Sequence, residues 1–379
     1  MSKAARVVRW GVPVAAIAVV AAAVGTGPVI AAVQGDPSLP DRTAQQLLAD
    51  AAQKWQTGRI PPMSGTIVET ASLGLPALPG VGGGGGSSPT SLLSGSHQLK
   101  VWYGGPGQAR VMLPGEMSET DVIANGGQVW FWDSGDNKAT HLKIPAGEKT
   151  TPSPLPSFAT PQKAAEEALK AAGGDTAISV GNDATVAGRA SYEVVLTPKA
   201  ATSLVRDVRV ALDGETLIPL RVQVYAKGAA EPAFEVGFDS VTFSPPAPEN
   251  FTFTPPPGAK VVEGSTPSLH GDGRPGPRGG KPGPGDGGRV VGSGWESVIV
   301  APISSESSES PESSRGSKGA DASQALASVL KSATPVSGPW GSGRLLRSKL
   351  VSALVTDDGR LIAGAVTPEV LYRAAGTAG

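Results

Sequence analysis

The side chains that most often carry catalytic or metal chemistry are scarce in this chain of 379 residues. It has three histidines and no cysteine, which excludes disulfides, thiolate metal sites and a cysteine nucleophile. His97, His141 and His270 have no close metal-ligand spacing, and the first two fit partly exposed positions at strand starts. No Gly-x-Ser-x-Gly motif marks a serine nucleophile. The sequence therefore predicts no catalytic residue, no metal site and no cofactor, in a protein that is not an enzyme.

Three glycine-containing stretches match the outline of a ligand-binding motif. GDGRPG at 271–276 and GPGDGG at 283–288 fit the dinucleotide pattern G-x-G-x-x-G, but neither follows a predicted strand or begins a predicted helix. DSGDN at 133–137 has the residue types of a calcium loop, but a tight turn between strands needs the same residues. We interpret the three stretches as composition and turn chemistry rather than as sites.

Charge and the N-terminal segment indicate where the protein is located. The formal net charge is −1 at pH 7, so the electrostatic argument for a nucleic-acid partner is missing.

Lys3, Arg6 and Arg9 precede an uncharged, mostly apolar stretch at 11–33, which is the pattern of an export signal. Residues 1–33 are predicted to be a signal peptide or a membrane anchor, and the sequence leaves both open. We expect the rest of the chain to be secreted or to lie at the extracytoplasmic face of the cell membrane.

The elements that position any site are predicted from hydrophobic periodicity. Residues 41–56 have apolar side chains at helical spacing, which predicts an amphipathic helix that covers another surface. From Ser64 to Phe243 short segments alternate apolar and polar residues between turns, and the connections are too short for parallel crossovers, so we predict antiparallel strands. Thr160 and Pro161 supply an N-cap and a first-turn proline for a second helix in the middle of this series.

Composition divides the chain into four parts. After residues 1–33, we predict a main domain at 36–254 that contains a flexible glycine-rich insert at 73–91. A Pro/Gly-rich, disordered linker follows at 255–293. Residues 294–379 are predicted to form strands and helices that dock on the main sheet, because an isolated hairpin is marginal in water.

The C-terminal part has its own predicted elements. They are a strand at 294–302, a disordered Ser/Glu-rich tract at 303–321, a short helix at 322–332 and a hairpin at 344–366 that turns at 357–359. Thr367 and Pro368 provide the cap and first-turn proline of a terminal helix.

An apolar face runs along the predicted sheet. At 206–226 valine and leucine alternate with arginine and glutamine, so one face of these strands is apolar and the other is polar. The strand QVWFWD at 128–133 has three consecutive aromatic residues in a chain that is only 5% aromatic. These residues leave two interpretations open. Helices cover the apolar face as an ordinary packed core, or the face lines a cavity for an apolar ligand.

Two stretches resemble the LolA/LolB-like superfamily, in particular exported proteins of high-GC bacteria and its RseB/MucB-like branch. One is PVSGPWGSGRLLRSKLVSALVTDDGRLIAGAVTPEVLYRAA at 335–375, and the other is VWFWDSGDNKATHL at 129–142, a strand ending in tryptophan, a turn and a returning strand. The resemblance covers about 36–255 and 294–375. It implies an α+β fold in which helices cover a curved antiparallel sheet, an incomplete β-barrel, and leave a hydrophobic cavity for acyl chains.

The resemblance also implies a function. Carriers of this superfamily move lipoproteins across the periplasm, and RseB/MucB regulators bind an anti-sigma factor and respond to envelope lipids. For this chain it implies a non-catalytic, exported protein that binds a lipid or lipoprotein acyl chain, and that contacts the membrane through its N-terminal helix if this is not cleaved. The alternative is an envelope-stress regulator that binds a membrane anti-sigma factor. The glycine-rich insert and the long linker are not features of the carriers.

The predicted cavity is lined by apolar residues of the first helix and of one face of the sheet. Trp130 and Trp132 share a face of their strand, so we expect them to line or cover the cavity with helix residues while Phe131 packs behind them. The full set of predicted cavity residues is Leu47, Leu48, Trp55, Leu99, Val101, Tyr103, Val111, Leu113, Trp130, Trp132, Val208, Val210, Leu220, Val222 and Val224.

Overall fold

A computed structural model describes residues 39–56, 60–74, 92, 95–144, 160–171, 174–264, 289–303 and 333–377. In these ranges the fold is mostly β-sheet with three α-helices, none of which has the length and apolar composition needed to span a membrane. The predicted signal or anchor at 1–33, the predicted helix at 322–332, and most of the insert and of the Ser/Glu-rich tract lie outside the described residues.

Thirteen strands form the main sheet. They are β1 (Met63–Ala71), β2 (Ser96–Gly105), β3 (Gln108–Pro114), β4 (Glu119–Asn125), β5 (Gln128–Asp133), β6 (Lys138–Lys143), β7 (Thr176–Val180), β8 (Ala184–Val186), β9 (Arg189–Pro198), β10 (Val205–Asp213), β11 (Pro219–Ala226), β12 (Phe234–Thr242) and β13 (Lys260–Gly264). Their order is β13-β6-β5-β4-β3-β2-β1-β12-β11-β10-β9-β7, with β8 also on β9. Every pair is antiparallel except β13 with β6. The end strands β13 and β7 do not pair with each other, so the sheet stays open, as predicted.

Two helices of the main domain begin at threonine caps, of which only the one at Thr160 was predicted. In α1 (Ala44–Gln56) the Thr43 hydroxyl accepts a hydrogen bond from the Gln46 N–H at 3.2 Å, and the Gln46 side chain accepts one from the Thr43 N–H at 2.9 Å. This reciprocal cap makes Ala44 the first helical residue, three residues later than predicted. In α2 (Pro161–Ala171) the Thr160 hydroxyl accepts a hydrogen bond from the Lys163 N–H, and proline occupies the first turn.

Both helices pack on the same side of the main sheet, which we call the inner face; the opposite side is the outer face. Leu47 of α1 and Ala165 of α2 are fully buried in one apolar cluster with the sheet residues Ile67, Leu99 and Val236. These sheet residues occupy alternate positions of their strands, which is what a sheet with one covered face requires. The main core therefore lies between the helices and the inner face.

Residues 245–264 pass over the outer face of β3 to β6, and we call them the strap. A 3-10 helix at Pro248–Phe251 lies against β3 and β4, and Phe251 is buried there. A Cβ atom on Gly104 would lie 3.0 Å from the Phe251 ring, so this glycine allows the close approach. The strap ends in β13, which pairs with β6 from Lys260 to Gly264.

Two strands, one of them in the strap, lie within the predicted linker, so the predicted domain boundaries were wrong there. Residues 255–293 were predicted to be linker, but β13 lies in this range and so does β14 (Arg289–Val291). The prediction weighed proline and glycine content, which argues against a central strand. A strand at the end of a sheet needs hydrogen bonds on one side only, so the short sequence KVVEG after the prolines is sufficient.

The C-terminal part forms a second sheet. Its strands are β14, β15 (Val298–Pro302), β16 (Thr334–Gly338), β17 (Gly341–Arg347), β18 (Ser352–Thr356) and β19 (Arg360–Gly364), in the order β14-β15-β19-β18-β17-β16. Helix α3 (Pro368–Gly376) packs on it through Leu371, in a separate apolar cluster with Leu354 and Ile362. The hairpin of β18 and β19 turns at 357–359.

The second sheet contacts the main sheet at the ends of β1, β7 and β10. Trp295, only 4% exposed, donates a hydrogen bond from Nε1 to the Thr176 hydroxyl at 2.7 Å. Backbone hydrogen bonds run from Leu204 N to Ala365 O (2.8 Å), from Thr367 N to Thr202 O (2.8 Å) and from Lys349 N to Leu73 O (2.7 Å). The C-terminal part is thus a sheet of its own with several backbone contacts to the first.

Candidate functional site

Most of the predicted cavity residues lie together on the inner face. Those with at most 8% of their surface exposed are Leu47, Leu99, Val101, Leu113, Val208, Val210, Leu220, Val222 and Val224. Leu48, Tyr103 and Val111 are partly buried and pack against the same cluster. The side chain of Trp55 lies outside the described residues. The structure thus gathers helix and strand residues that are far apart in sequence into one apolar surface.

Trp130 and Trp132 do not join this surface. Phe131 lies opposite Val122 across β4 and β5, and directly opposed residues of antiparallel strands point to the same side. Both of these side chains pack in the inner cluster, so their neighbours Trp130 and Trp132 point to the outer face. Alternation along the strand showed that the two tryptophans share a face. It contained no information about which face the helices cover.

On the outer face the two tryptophans hold the strap. The Phe253 ring lies 5.4 Å from Trp130 and 5.9 Å from Trp132, measured between ring centroids. His141 stacks on Trp130 at 4.1 Å, and its Nδ1 lies 3.0 Å from both carboxylate oxygens of Glu263 in β13. The aromatic strand therefore belongs to a contact between the sheet and the strap.

The cover over part of the inner face is made of small side chains. Helix α2 packs on β11 and β12, and its buried side chains, among those that the structure describes, are Pro161, Ala164, Ala165 and Ala168. Each buried alanine removes little apolar area from water compared with leucine or phenylalanine. The free energy that holds this helix on the sheet is correspondingly small.

A glutamate, Glu69, interrupts the apolar inner face. Glu69 of β1 lies opposite His97 of β2 and Val236 of β12, and it alternates with the buried Ile67 and Ala71 on the same side of the strand. None of its surface is exposed, and neither carboxyl oxygen has a hydrogen-bond partner among the residues that the structure describes. Burial raises the pKa of Glu69 to about 9, so its carboxyl group is uncharged at neutral pH.

Sequence reasoning missed Glu69, although a signal was present. In MSGTIVETA the glutamate occupies a position at which period-two alternation places apolar side chains. A charged residue in the apolar half of an alternating strand is an exception that requires a structural or functional reason. The prediction of cavity residues considered only the apolar members of the face, so it left this position out.

The other buried carboxyl groups of the described residues are paired. Asp213 accepts hydrogen bonds from Arg189 and from the backbone and hydroxyl of Thr216, the latter two at 2.7 and 2.8 Å. Burial alone would raise the pKa of Asp213, but these hydrogen bonds and the Arg189 charge lower it. Asp121 pairs with Arg110, and Asp207 with Arg206 and Arg209.

A separate pocket of about 420 Å³ lies at the start of α1. Its wall includes Asp41, Arg42 and Asp183 beside Tyr192. The Leu39 N–H donates a hydrogen bond to Asp183 at 2.9 Å, and the Tyr192 hydroxyl donates one to the Pro40 carbonyl at 3.0 Å. Because charged and hydrogen-bonded groups form its wall, this pocket suits water or a polar molecule rather than an acyl chain.

The described ranges contain no cluster of three or more histidine, aspartate or glutamate side chains that is placed to hold a metal ion. His141 contacts Glu263 and Gln128 in the strap region, whereas His97 lies beside Glu69 on the neighbouring strand. His270 lies outside the described residues. The inner face therefore offers a ligand apolar contacts and, in addition, the buried carboxyl group of Glu69.

No protein-family model and no curated protein matches the chain in sequence. Solved structures resemble it at low identity. A complex of MucA and MucB from Pseudomonas aeruginosa is 14% identical, with a TM-score of 0.41, and the match covers 88% of this chain and 96% of that chain.

Two further structures resemble only the larger part of the chain. The LolA superfamily protein NE2245 from Nitrosomonas europaea is 13% identical, with a TM-score of 0.23, and the match covers 56% of this chain and 99% of that chain. LprF from Mycobacterium bovis is 14% identical, with a TM-score of 0.28, over 56% of this chain and 99% of that chain. All these identities lie far below the range in which function is shared by default.

Proposed function

We propose that the chain is an exported, non-catalytic protein that binds the acyl chain of a lipid or lipoprotein between the inner face of the main sheet and its helical cover. One observation carries this proposal. A broad, open sheet presents Val222, Phe234 and Val236 to a helix whose described buried side chains are alanines and one proline. An acyl chain makes the same non-directional apolar contacts as the helix and can take its place.

The openness of the sheet supports a binding role of this kind. A closed barrel of this many strands fixes its interior volume, whereas a sheet with two free ends can change its curvature when it accepts a chain. Displacing α2 costs little because each of its alanines buries a small area. The proposed site needs no metal, cofactor or reactive side chain, which fits a protein that binds its ligand without turnover.

The proposed location rests on the N-terminal sequence. Lys3, Arg6 and Arg9 before the uncharged stretch at 11–33 have the pattern that directs the following chain out of the cytoplasm. A protein that holds an acyl chain outside the cytoplasm meets lipids and lipoproteins at the membrane surface. We place the site at the extracytoplasmic face of the membrane or in the secreted fraction.

Native mass spectrometry of the full chain, purified without detergent, tests this proposal. Ala165 of α2 is fully buried between the helix and the sheet, so the indole of Ala165→Trp occupies the space between them that an acyl chain would take. We expect the lipid adduct of the wild-type protein to disappear. Lys163→Trp is the matched control because Lys163 is exposed on the same helix. Ala168→Leu adds a smaller side chain at a second buried position, in case the first variant does not fold.

The outcome separates binding from simple packing. A wild-type protein without adduct, or an adduct that survives in folded Ala165→Trp and Ala168→Leu, contradicts acyl-chain binding at the inner face. Trp130→Ala provides a further control, since Trp130 contacts the strap on the outer face. We expect this variant to keep the adduct.

A second candidate function is that of an envelope-stress regulator that binds a membrane anti-sigma factor. The observation that favours it is the second sheet, which has its own core and ends in β14, where Val290 is 46% exposed. An unpaired sheet edge with an exposed apolar side chain is a place where a partner's extended segment can add as a strand.

Crosslinking in membranes tests this candidate. A regulator is expected to capture one single-pass membrane protein, and Val290→Lys is expected to reduce that capture. Val261→Lys is the control, because Val261 is similarly exposed, at 48%, on β13 of the main sheet. Equal capture by both variants, or no capture by the wild-type chain, contradicts docking at β14.

A further inference from the structure

Glu69 has the features of a polar group that binds a ligand. Its side chain is completely buried on the inner face, and within the described part of the chain both carboxyl oxygens lack a hydrogen-bond partner. An uncharged polar group that is buried without a hydrogen bond destabilises the fold, and the great majority of buried polar atoms are therefore paired. A leucine of similar size would remove this cost, so packing gives no reason for a glutamate here.

The neighbours of Glu69 restrict what it can bind. Val236 of β12 and the partly buried His97 of β2 lie opposite Glu69 on its two sides, and Ile67 and Ala71 lie two positions away along β1. Val236, Ile67 and Ala71 belong to the apolar cluster under the helices. Among the described residues no arginine or lysine pairs with Glu69, unlike the buried aspartates of the outer face and turns. A partner therefore has to bring its own apolar surface together with a hydrogen-bonding group.

We propose that the Glu69 carboxyl group anchors the head of an acyl ligand by a pair of hydrogen bonds to an uncharged carboxamide, while the acyl chain lies along the inner face. This inference rests on the function proposed above and names the chemistry of the ligand's head group. A protonated carboxyl group has one O–H donor beside one carbonyl acceptor. A carboxamide offers the complementary N–H donor and C=O acceptor, so both carboxyl oxygens of Glu69 form a hydrogen bond at the same time.

The protonation state fits this pairing. Burial raises the pKa of Glu69 to about 9, so the group keeps its proton at neutral pH and serves as donor and acceptor together. A cationic amine would bind in another way, because its positive charge would lower the pKa of Glu69, the carboxyl proton would be released to water, and the two groups would form a buried ion pair. An ester offers only acceptors, so it satisfies one of the two atoms.

Isothermal titration of the full chain with three probes tests the inference. The probes are stearamide, methyl stearate and stearylamine, which share the chain and differ in the head. We expect the wild-type protein to bind stearamide about tenfold more tightly than methyl stearate, the effect of one additional buried hydrogen bond. Glu69→Gln keeps this preference because a carboxamide also donates and accepts. Glu69→Leu binds both probes with equal affinity.

Other results would overturn the inference in distinguishable ways. If Glu69→Leu retains the preference for stearamide, Glu69 is not the anchor. If the wild-type protein prefers stearylamine and Glu69→Gln loses that preference, charge pairing is the basis of recognition. If all proteins bind all three probes equally, the head-group inference fails while acyl binding stands. If no probe binds, the proposed function itself fails. Glu235→Leu, on the adjacent strand and facing outward beside Gln223, is the matched control and should behave as wild type.

Discussion

Two carboxyl groups of the main sheet are equally withdrawn from water and have opposite electrostatic properties. Glu69 and Asp213 are both 0% exposed. Burial raises the pKa of Glu69 to about 9, whereas the hydrogen bonds and charge of Arg189, with those of Thr216, lower the pKa of Asp213 against the same effect of burial. Burial alone therefore does not determine whether a carboxyl group of this protein is charged. Nearby hydrogen-bond donors and positive charge, which Asp213 has, keep a buried carboxyl group ionised.

The comparison also separates structural from functional acids. Asp213 fixes the turn after β10, because the N–H groups of Glu215 and Thr216 donate to it, and its ion pair with Arg189 is complete within the chain. Glu69 fixes nothing in the described structure, since its oxygens have no partner. Removing a side chain that stabilises the fold is expected to make the protein less stable. Removing a side chain that serves a ligand, such as Glu69, is expected to make the ligand-free protein more stable.

The largest effect is expected from Asp213→Ala. Removing Asp213 leaves Arg189 with only the exposed Glu215 as an ion-pair partner among the described residues and takes away the acceptor of the Thr216 hydrogen bonds, and breaking a buried ion pair costs up to about 3–5 kcal/mol. Urea unfolding of the full chain at neutral pH measures the loss. A loss below about 1 kcal/mol, the value for an exposed pair, would show that Asp213 is not the structural acid of the comparison.

Glu69→Leu is expected to stabilise the protein by at least about 1–3 kcal/mol at neutral pH in the absence of ligand, because it replaces an unsatisfied buried carboxyl group by apolar contacts and removes the cost of keeping that group protonated. The same urea titration measures this gain. Glu69→Ala serves as a control, since it removes the carboxyl group but leaves a cavity and forfeits the apolar contacts. A clear destabilisation by Glu69→Leu would mean that Glu69 has a partner that supports the fold.

The pH dependence of stability extends the comparison. Between the ordinary glutamate pKa of 4.5 and about 9, the unfolded chain has released the Glu69 proton and the folded chain has kept it. Stability should therefore fall by about 1.4 kcal/mol per pH unit across this window, and Glu69→Gln should remove that slope. For Asp213 the sign is opposite. Its contribution is present above the ordinary value of 3.8 and is lost as the pH falls through the lowered pKa.

The smallest effect is expected from Glu215→Ala. Glu215 pairs with the same arginine as Asp213, at 2.8 Å, but 83% of its side chain is exposed. Exposed ion pairs contribute roughly 0.2–1 kcal/mol, so this variant should unfold close to the wild-type midpoint and lose its small effect in high salt. A large loss would show that the arginine, rather than the burial of Asp213, determines the energetics of the turn.

The sequence was sufficient for the parts of the fold that local chemistry determines. The cap at Thr160, the turn at 357–359 and the alternation of β10 and β11 lie where they were predicted, because each depends on a few neighbouring residues. The apolar members of the inner face were found for the same reason. Period-two alternation assigns them to one side of a strand without any knowledge of its neighbours.

The rest depends on which surfaces meet, and local patterns do not contain this information. Trp130 and Trp132 were assigned to the helix-covered side, whereas they pack on the strap residue Phe253. The strap itself was read as linker because its prolines suit an edge as well as a disordered segment. The second sheet combines β14 and β15 with strands that are distant in sequence, which no hairpin signal predicts. Glu69 could be recognised only as an exception to its own strand's pattern.

The pairing of β13 with β6 bears on how the molecule behaves at high concentration. Without it, the free backbone groups of β6 would form the end of the main sheet, and an unpaired strand of this kind is a template for edge-to-edge aggregation. β13 covers these groups and puts Lys260 and Glu263, with most of their surface in water, at the new end of the sheet. Charged side chains discourage another chain from adding there. The strap thus gives this end of the sheet protection against polymerisation, a benefit for solubility that is independent of any ligand.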